Sequence, residues 1–246
     1  MTEDLSVLSR SASAPDCTLR YGPEPDQVAD VRTGVRGAQL PLIVLIHGGF
    51  WKPAYDRSHA QPMAQALAAD GWSVLTLEYR RIPGQPDAML QDIVGAIREL
   101  PGTIDNHNGQ LLLVGHSAGG HLVLWAAANA VSDALCGVLA LAPVADLELA
   151  QRLNLGDGAV LRFLGVAAAD RADVDPMRLA APTIAVTVLH GELDEVVPLA
   201  VAQSYCAACP NTRLALLDCA GHFALIDPLN GAWKELLREL ERLSRD

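Results

Sequence analysis

Leu111-Leu112-Leu113-Val114-Gly115-His116-Ser117-Ala118-Gly119 is the stretch on which the fold assignment turns. Four consecutive apolar residues read as a short strand covered on both faces, and Ala118–Ala130 behind them reads as a helix. Between the two lies a turn of small residues centred on a serine. A serine nucleophile has to sit on a sharp turn that tolerates no bulk two residues to either side, which is what Gly115 and Gly119 supply. The helix N-terminus that follows stabilises a developing anion. The five-residue pattern alone is compatible with a chance small-residue turn. With a strand before it and a helix after it, Ser117 becomes the candidate nucleophile.

The same alternation runs through most of the chain. Extended segments are predicted near Thr18–Tyr21 and Gln27–Arg32, then at Leu40–Ile46, Trp72–Leu77, Gly137–Leu141, Thr183–Leu189 and Arg213–Leu217. Helices are predicted at Asp56–Ala69, Asp87–Leu100, Pro198–Ala208 and Ala232–Leu243. The second has Leu90, Ile93, Val94 and Ile97 at i, i+3, i+4, i+7, and the last has an apolar stripe that includes Trp233. Short apolar strands alternating with amphipathic helices predict an α/β fold with a mostly parallel, twisted sheet and helices on both faces. Residues 1–16 are serine-rich and aperiodic and are expected to be a poorly ordered lead-in. Residues 17–246 are expected to form a single domain, with the irregular segment 146–182 as a small cap.

Composition narrows the function. Eighteen basic against 29 acidic residues give a formal charge of −11, which repels phosphate backbones and anionic lipid, so neither nucleic acid nor membrane is an expected partner. No apolar run approaches the ~18 residues needed to span a bilayer. The acidic start Met1-Thr2-Glu3-Asp4 has no apolar core of a secretory signal, and the five cysteines are read as reduced thiols; a cytoplasmic protein is expected. Cys206 and Cys209 fall late in a predicted helix and are read as packing residues. His116 and His121 flank the serine without a converging ligand set, so no metal is expected. His47, His59 and His107 are read as structural or surface residues. No phosphate-cradling glycine loop is present, so no cofactor is expected.

In an open parallel sheet, ligands bind beyond the carboxyl ends of the strands. Besides Ser117, three other strand ends carry reactive residue types. His47-Gly48-Gly49-Phe50-Trp51 follows Leu40–Ile46, and its glycines free N–H groups that, with the N–H of Ala118, can bind an oxyanion. His190-Gly191-Glu192-Leu193-Asp194-Glu195 offers three carboxylates that could orient an imidazole. Gly221-His222-Phe223 places a histidine, the usual general base, on a loop after the last strand; such a base ordinarily titrates near 6–7.

The order Ser117, acid, His222 resembles the α/β-hydrolase superfamily, from about Tyr21 to the C-terminal helix. His190-Gly191-x-x-Asp194 followed by Val196-Val197-Pro198 matches the superfamily's acid loop, which selects Asp194. His47-Gly48-Gly49-Phe50-Trp51 resembles the signature of the kynurenine formamidase (arylformamidase) branch, which carboxylesterases share. Gly115-His116-Ser117-Ala118-Gly119-Gly120-His121-Leu122 is close to that branch's nucleophile motif, departing at Gly120. Tyr21-Gly22-Pro23 resembles its entrance to the first strand pair. Glu78-Tyr79-Arg80 resembles its N-Y-R loop, with Glu78 in place of Asn. The resemblance implies a cofactor-independent serine hydrolase of small esters or aryl formamides. Ser117, His222 and Asp194 would form the triad, Gly49, Phe50 and Ala118 the oxyanion hole, and Trp51 would lie near the acyl site. Two other classes share this fold: a binder of small ligands, and a lyase or cyclase using the same serine–histidine pair.

Overall fold

The computed structural model describes residues 3–245. Eight strands form one sheet: β1 (Cys17–Arg20), β2 (Val28–Arg32), β3 (Leu42–Ile46), β4 (Val74–Leu77), β5 (Leu111–His116), β6 (Leu135–Leu141), β7 (Ala185–Gly191) and β8 (Thr212–Leu217). Their order across the sheet is β1-β2-β4-β3-β5-β6-β7-β8. The β1–β2 and β2–β4 pairs are antiparallel and the remaining pairs parallel. The seven helices are α1 (Gln61–Ala69), α2 (Pro86–Glu99), α3 (Ala118–Ala128), α4 (Leu147–Arg152), α5 (Leu155–Leu164), α6 (Leu199–Ala208) and α7 (Ala232–Leu243).

The central strands divide their side chains between two core layers with a period of two, as a pleated strand must. Leu42, Val44 and Ile46 of β3 and Leu111 and Leu113 of β5 face the layer built with α2, α3 and α6. Ile43, Leu45, Leu112 and Val114 face the layer closed by α1 and α7. Both faces being covered explains why these strands read as unbroken apolar runs.

Parallel registry brings the functional ends level. Ile46 pairs with Gly115, His116 with Leu141, Leu141 with Leu189, and Gly191 with Leu217. The loops that begin at His47, Ser117, Glu192 and Asp218 therefore leave the sheet along one edge.

Two regions are more ordered in their geometry than their composition suggests. Residues 147–164, irregular in sequence, form α4 and α5, with left-handed backbone at Asn154, Gly156, Asp157 and Gly158 absorbing the turn at the start of α5. Asp146 caps α4 by accepting the Leu149 N–H at 2.8 Å. Within the lead-in, of which residues 1 and 2 lie outside the described residues, Ser6–Ser9 make a 3-10 turn, and Val7 is 1% exposed in the α1/α7 core layer.

Four buried histidines constrain acid stability. Burial pushes His121 down to about 4 and His222 to about 3, and it lowers His116 and His190 as well. An imidazole neutral in the folded chain but charged in the unfolded one favours unfolding as pH falls below about 6.5. His121 and His222 each contribute a slope approaching about 1.4 kcal/mol per pH unit there, and His116 and His190 act in the same direction. Asp175, raised to about 6 by burial, and Asp194, also raised by burial, work in the opposite sense and are outnumbered. Denaturant midpoints should therefore fall steeply between pH 7 and 5, and a flat profile over that range would show that these rings are charged in the folded state.

Candidate active site

The sharp turn predicted around Ser117 is present. Ser117 has φ 57 and ψ −116, a conformation costing about 1–3 kcal/mol for a non-glycine residue, so the surroundings must enforce it. They do so by close approach. A Cβ on Gly115 would lie 2.2 Å from the Gly119 carbonyl oxygen, and one on Gly119 would lie 2.1 Å from that of Ile46. A side chain at Gly115 would push the first turn of α3 off the end of β5, and one at Gly119 would push it away from the end of β3.

Ser117 opens into a cavity of about 260 Å³ whose wall includes Gly49, Phe50, His59, His116 and His222. Asp194 stands behind the His222 ring: Nδ1 of His222 donates to Asp194 Oδ2 at 2.7 Å. The other carboxylate oxygen, Oδ1, accepts the N–H groups of Val196 (2.9 Å) and Val197 (2.7 Å). His190 is fully buried 3.5 Å from Asp194 and donates its Nε2–H to the Val197 carbonyl. The acid is thus fixed on three sides, and the Nδ1–H tautomer leaves the Nε2 lone pair of His222 free to take a proton. Burial lowers the imidazole to about 3, below the ordinary range expected from sequence, so it is neutral near pH 7 as a base must be. Burial also raises the Asp194 carboxyl, against the pull of the two N–H donors. Among the described residues no hydrogen bond joins Ser117 Oγ to His222. Such contacts are commonly loose before substrate binds.

The main chain of His222 is held too, since His116 Nε2 donates to its carbonyl oxygen at 3.1 Å. This gives His116, discounted from sequence, a place in the site. His59, read as structural or surface, also reaches the cavity.

The candidate oxyanion loop makes a run of left-handed residues: Gly49 (φ 111), Phe50 (φ 50) and Trp51 (φ 55). Among the described residues the N–H groups of Gly49, Phe50 and Ala118 have no hydrogen-bond acceptor. Gly49 and Phe50 line the cavity, and Ala118 is the first residue of α3, where helix geometry leaves the N–H free. Trp51 is placed differently from expectation. Its ring is 4% exposed, stacks on Phe163 of α5 at 4.5 Å and meets His121 edge-on at 5.3 Å, outside the cavity wall. It ties the loop to α5, and Phe50 is the aromatic residue at the cavity.

Beneath the loop sits the residue that departs from the N-Y-R pattern. Glu78 Oε1 accepts from His47 Nε2 at 3.0 Å and from the Tyr79 N–H at 3.0 Å, and is paired with Arg81; Oε2 accepts the Arg57 N–H at 3.0 Å. Burial opposes the charge, but His47, Arg81 and the Arg57 N–H outweigh it and hold the carboxyl down to about 2. The His47 ring stacks on Tyr79 at 4.5 Å, and the Tyr79 hydroxyl donates to the His47 carbonyl at 2.8 Å. The chain entering the oxyanion loop is therefore held by its ring and by its main chain. Among the described residues no group of three or more His, Cys, Asp or Glu side chains is arranged to hold a metal ion, and no helix is long and apolar enough to cross a membrane.

Comparison with known proteins agrees with this architecture. Residues 30–143 match the family described as BD-FAE. Esterase LipC of Mycobacterium tuberculosis is 27% identical over 86% of this chain and 60% of its own length; Esterase LipQ of the same organism is 27% identical over 75% of this chain and 49% of its own length. The chain thus spans about half to three-fifths of these relatives. Among solved structures, esterase B from Lactobacillus rhamnosis superimposes with a TM-score of 0.77 at 22% identity, covering 96% of this chain and 89% of that one. A putative thioesterase from Silicibacter sp. tm1040 gives 0.76 at 23%, covering 92% and 86%. The chain has the α/β-hydrolase fold, and in sequence it is similar to esterases.

Proposed function

We propose that this chain is a serine hydrolase of small carboxylic esters and aryl formamides. The observation that carries the proposal is the Asp194–His222 pair, 2.7 Å apart, facing a cavity of about 260 Å³ that also holds Ser117. Ser117 Oγ attacks the substrate carbonyl carbon while His222 Nε2 takes its proton. The tetrahedral oxyanion is bound by the N–H groups of Gly49, Phe50 and Ala118, each worth about 3–4 kcal/mol of transition-state stabilisation. His222 returns the proton to the leaving group, an acyl-serine remains, and water activated by the same histidine releases the acid. Asp194 stabilises the imidazolium and fixes the tautomer without taking a proton.

Ser117→Ala should abolish both turnover and labelling by a fluorophosphonate while leaving the thermal midpoint near that of the parent. Hydrolysis at the parent rate would remove Ser117 from the mechanism, and an unlabelled parent would favour a binding protein.

Asp194→Asn should lower kcat by on the order of 10⁴, the cost of disturbing the tautomer in a comparable triad. Glu192 and Glu195 make no hydrogen bond to His222, so Glu192→Gln and Glu195→Gln should cost less than threefold. The reverse ranking would mean that another carboxylate orients the base.

The small cavity limits substrate size. We take residues 146–182 as the cap. In that segment Gly156 packs on Phe50, since a Cβ there would lie 2.9 Å from the Phe50 ring. Phe50 thus presents a braced aromatic face, worth about 0.5–1.5 kcal/mol beyond its buried area, or roughly tenfold in selectivity. Formyl to butyryl groups on aryl leaving groups should be cleaved best, and Phe50→Leu should erode the aryl preference more than the rate on ethyl acetate. A preference for octanoyl esters in a chain-length series would overturn this picture of the pocket.

A further inference from the structure

The serine-rich segment before β1 crosses the active site. The Glu3 carboxylate accepts the His222 N–H through Oε1 at 2.6 Å, and its Oε2 lies 3.5 Å from the Phe223 N–H. Gly221 leaves the space for this contact: a Cβ there would lie 2.5 Å from both Glu3 carboxylate oxygens. Val7 is buried in the same core layer as Leu225 and Ile226. Leu8 lines the same cavity as Ser117 and His222. Arg10 closes the strap with a two-pronged pair to Asp227, its Nη2 lying 3.0 Å from Oδ2 and its Nη1 meeting Oδ1. Glu3 therefore binds the first residue of the segment 222–227 and Arg10 the last, while Val7 between them in the chain is buried in the core.

Three contacts define where the His222 imidazole stands. Asp194 holds the ring, His116 holds the carbonyl oxygen, and Glu3 holds the N–H. The first comes from the loop after β7 and the second from the last residue of β5. The third comes from a segment 219 residues earlier in the chain. Without Glu3, the His222 N–H would have to find water, and the loop from Asp218 to His222 would keep two backbone ties, the Ala220 carbonyl accepting the Leu193 N–H at 3.0 Å and the His222 carbonyl accepting from His116. Displacements of about 1 Å at a reacting group can cost a hundredfold in rate, so a contact that sets the loop position has catalytic weight.

We propose that Glu3 is a positioning residue for the general base, delivered by an amino-terminal strap of residues 3–10 that forms part of the active-site wall. This rests on Ser117 and His222 being the nucleophile and base proposed above. Glu3 touches no reacting atom. It acts through the main chain of His222, so its removal slows the chemical step more than it weakens substrate binding.

The test compares hydrolysis of p-nitrophenyl acetate by the full chain, Glu3→Ala and Glu3→Gln, with Ser117→Ala as control. Glu3→Ala should lower kcat about tenfold with KM within twofold and the thermal midpoint little changed. Glu3→Gln, whose amide oxygen still accepts the His222 N–H, should recover kcat to within about threefold. An unchanged kcat in Glu3→Ala overturns the proposal. A Glu3→Gln variant as slow as Glu3→Ala does so too, because charge rather than position would then be responsible. If Ser117→Ala retains parent activity, the hydrolase mechanism fails instead. The strap is then judged by amide hydrogen exchange, which Glu3→Ala must accelerate at His222 and Phe223 but not in β5 or β6; no acceleration there overturns it.

Discussion

The contact on which the site depends is the approach of the first turn of α3 to the end of β3. Gly119 comes so close to the Ile46 carbonyl oxygen that not even a methyl group would fit between them. That approach forces Ser117 into its unfavourable backbone conformation, and it sets the turn against the chain just before His47-Gly48-Gly49. Ser117 and the loop 47–51, the proposed nucleophile and oxyanion loop, are therefore brought together by backbone packing. The strain at Ser117 persists because β3 and β5 pair in parallel register over five residues, and neither can slip without turning apolar side chains from one core layer into the other.

The oxyanion loop needs its own support, because three consecutive left-handed residues have little intrinsic preference for that shape. Support comes from opposite ends. Glu78, His47 and Tyr79 hold the entering chain through a buried, fully partnered carboxylate, and Trp51 stacks on Phe163 to hold the leaving chain. A buried carboxylate with this many donors is costly to leave half-satisfied, so the cluster behaves as a unit. An asparagine at position 78 could accept from His47 but would leave the Arg81 guanidinium without its closest anionic partner.

How much of this was legible in the sequence follows from the range of each interaction. The sheet and most of its helices were readable because short apolar runs and helical stripes are local signals. The nucleophile turn was readable because its glycines have to be near neighbours of Ser117. Asp194 and His222 were chosen by loop order and family resemblance, and the structure places them 2.7 Å apart. Trp51 was misplaced because adjacency to the glycines says nothing about which way a ring turns; the left-handed backbone at 50 and 51 sends Phe50 to the cavity and Trp51 to α5. Helices α4 and α5 were obscured by Gly156 and Gly158, which read as breakers and in fact only turn the start of α5. Glu3 left no signal at all, since a carboxylate in a polar, serine-rich stretch looks like solvated chain.

The link between Glu3 and His222 joins residues 219 positions apart. On a ribosome, strands β1 to β7 can begin to pair while the residues that complete this link have not yet emerged. The turn Ser6–Ser9 also packs on Arg57–Ala60, but the ties of Glu3 and Arg10 cannot form until His222–Asp227 is available, and closing so long a loop carries an entropic cost that is met only once the sheet already holds both ends near each other. The ties of Glu3 and Arg10 are thus completed late in assembly.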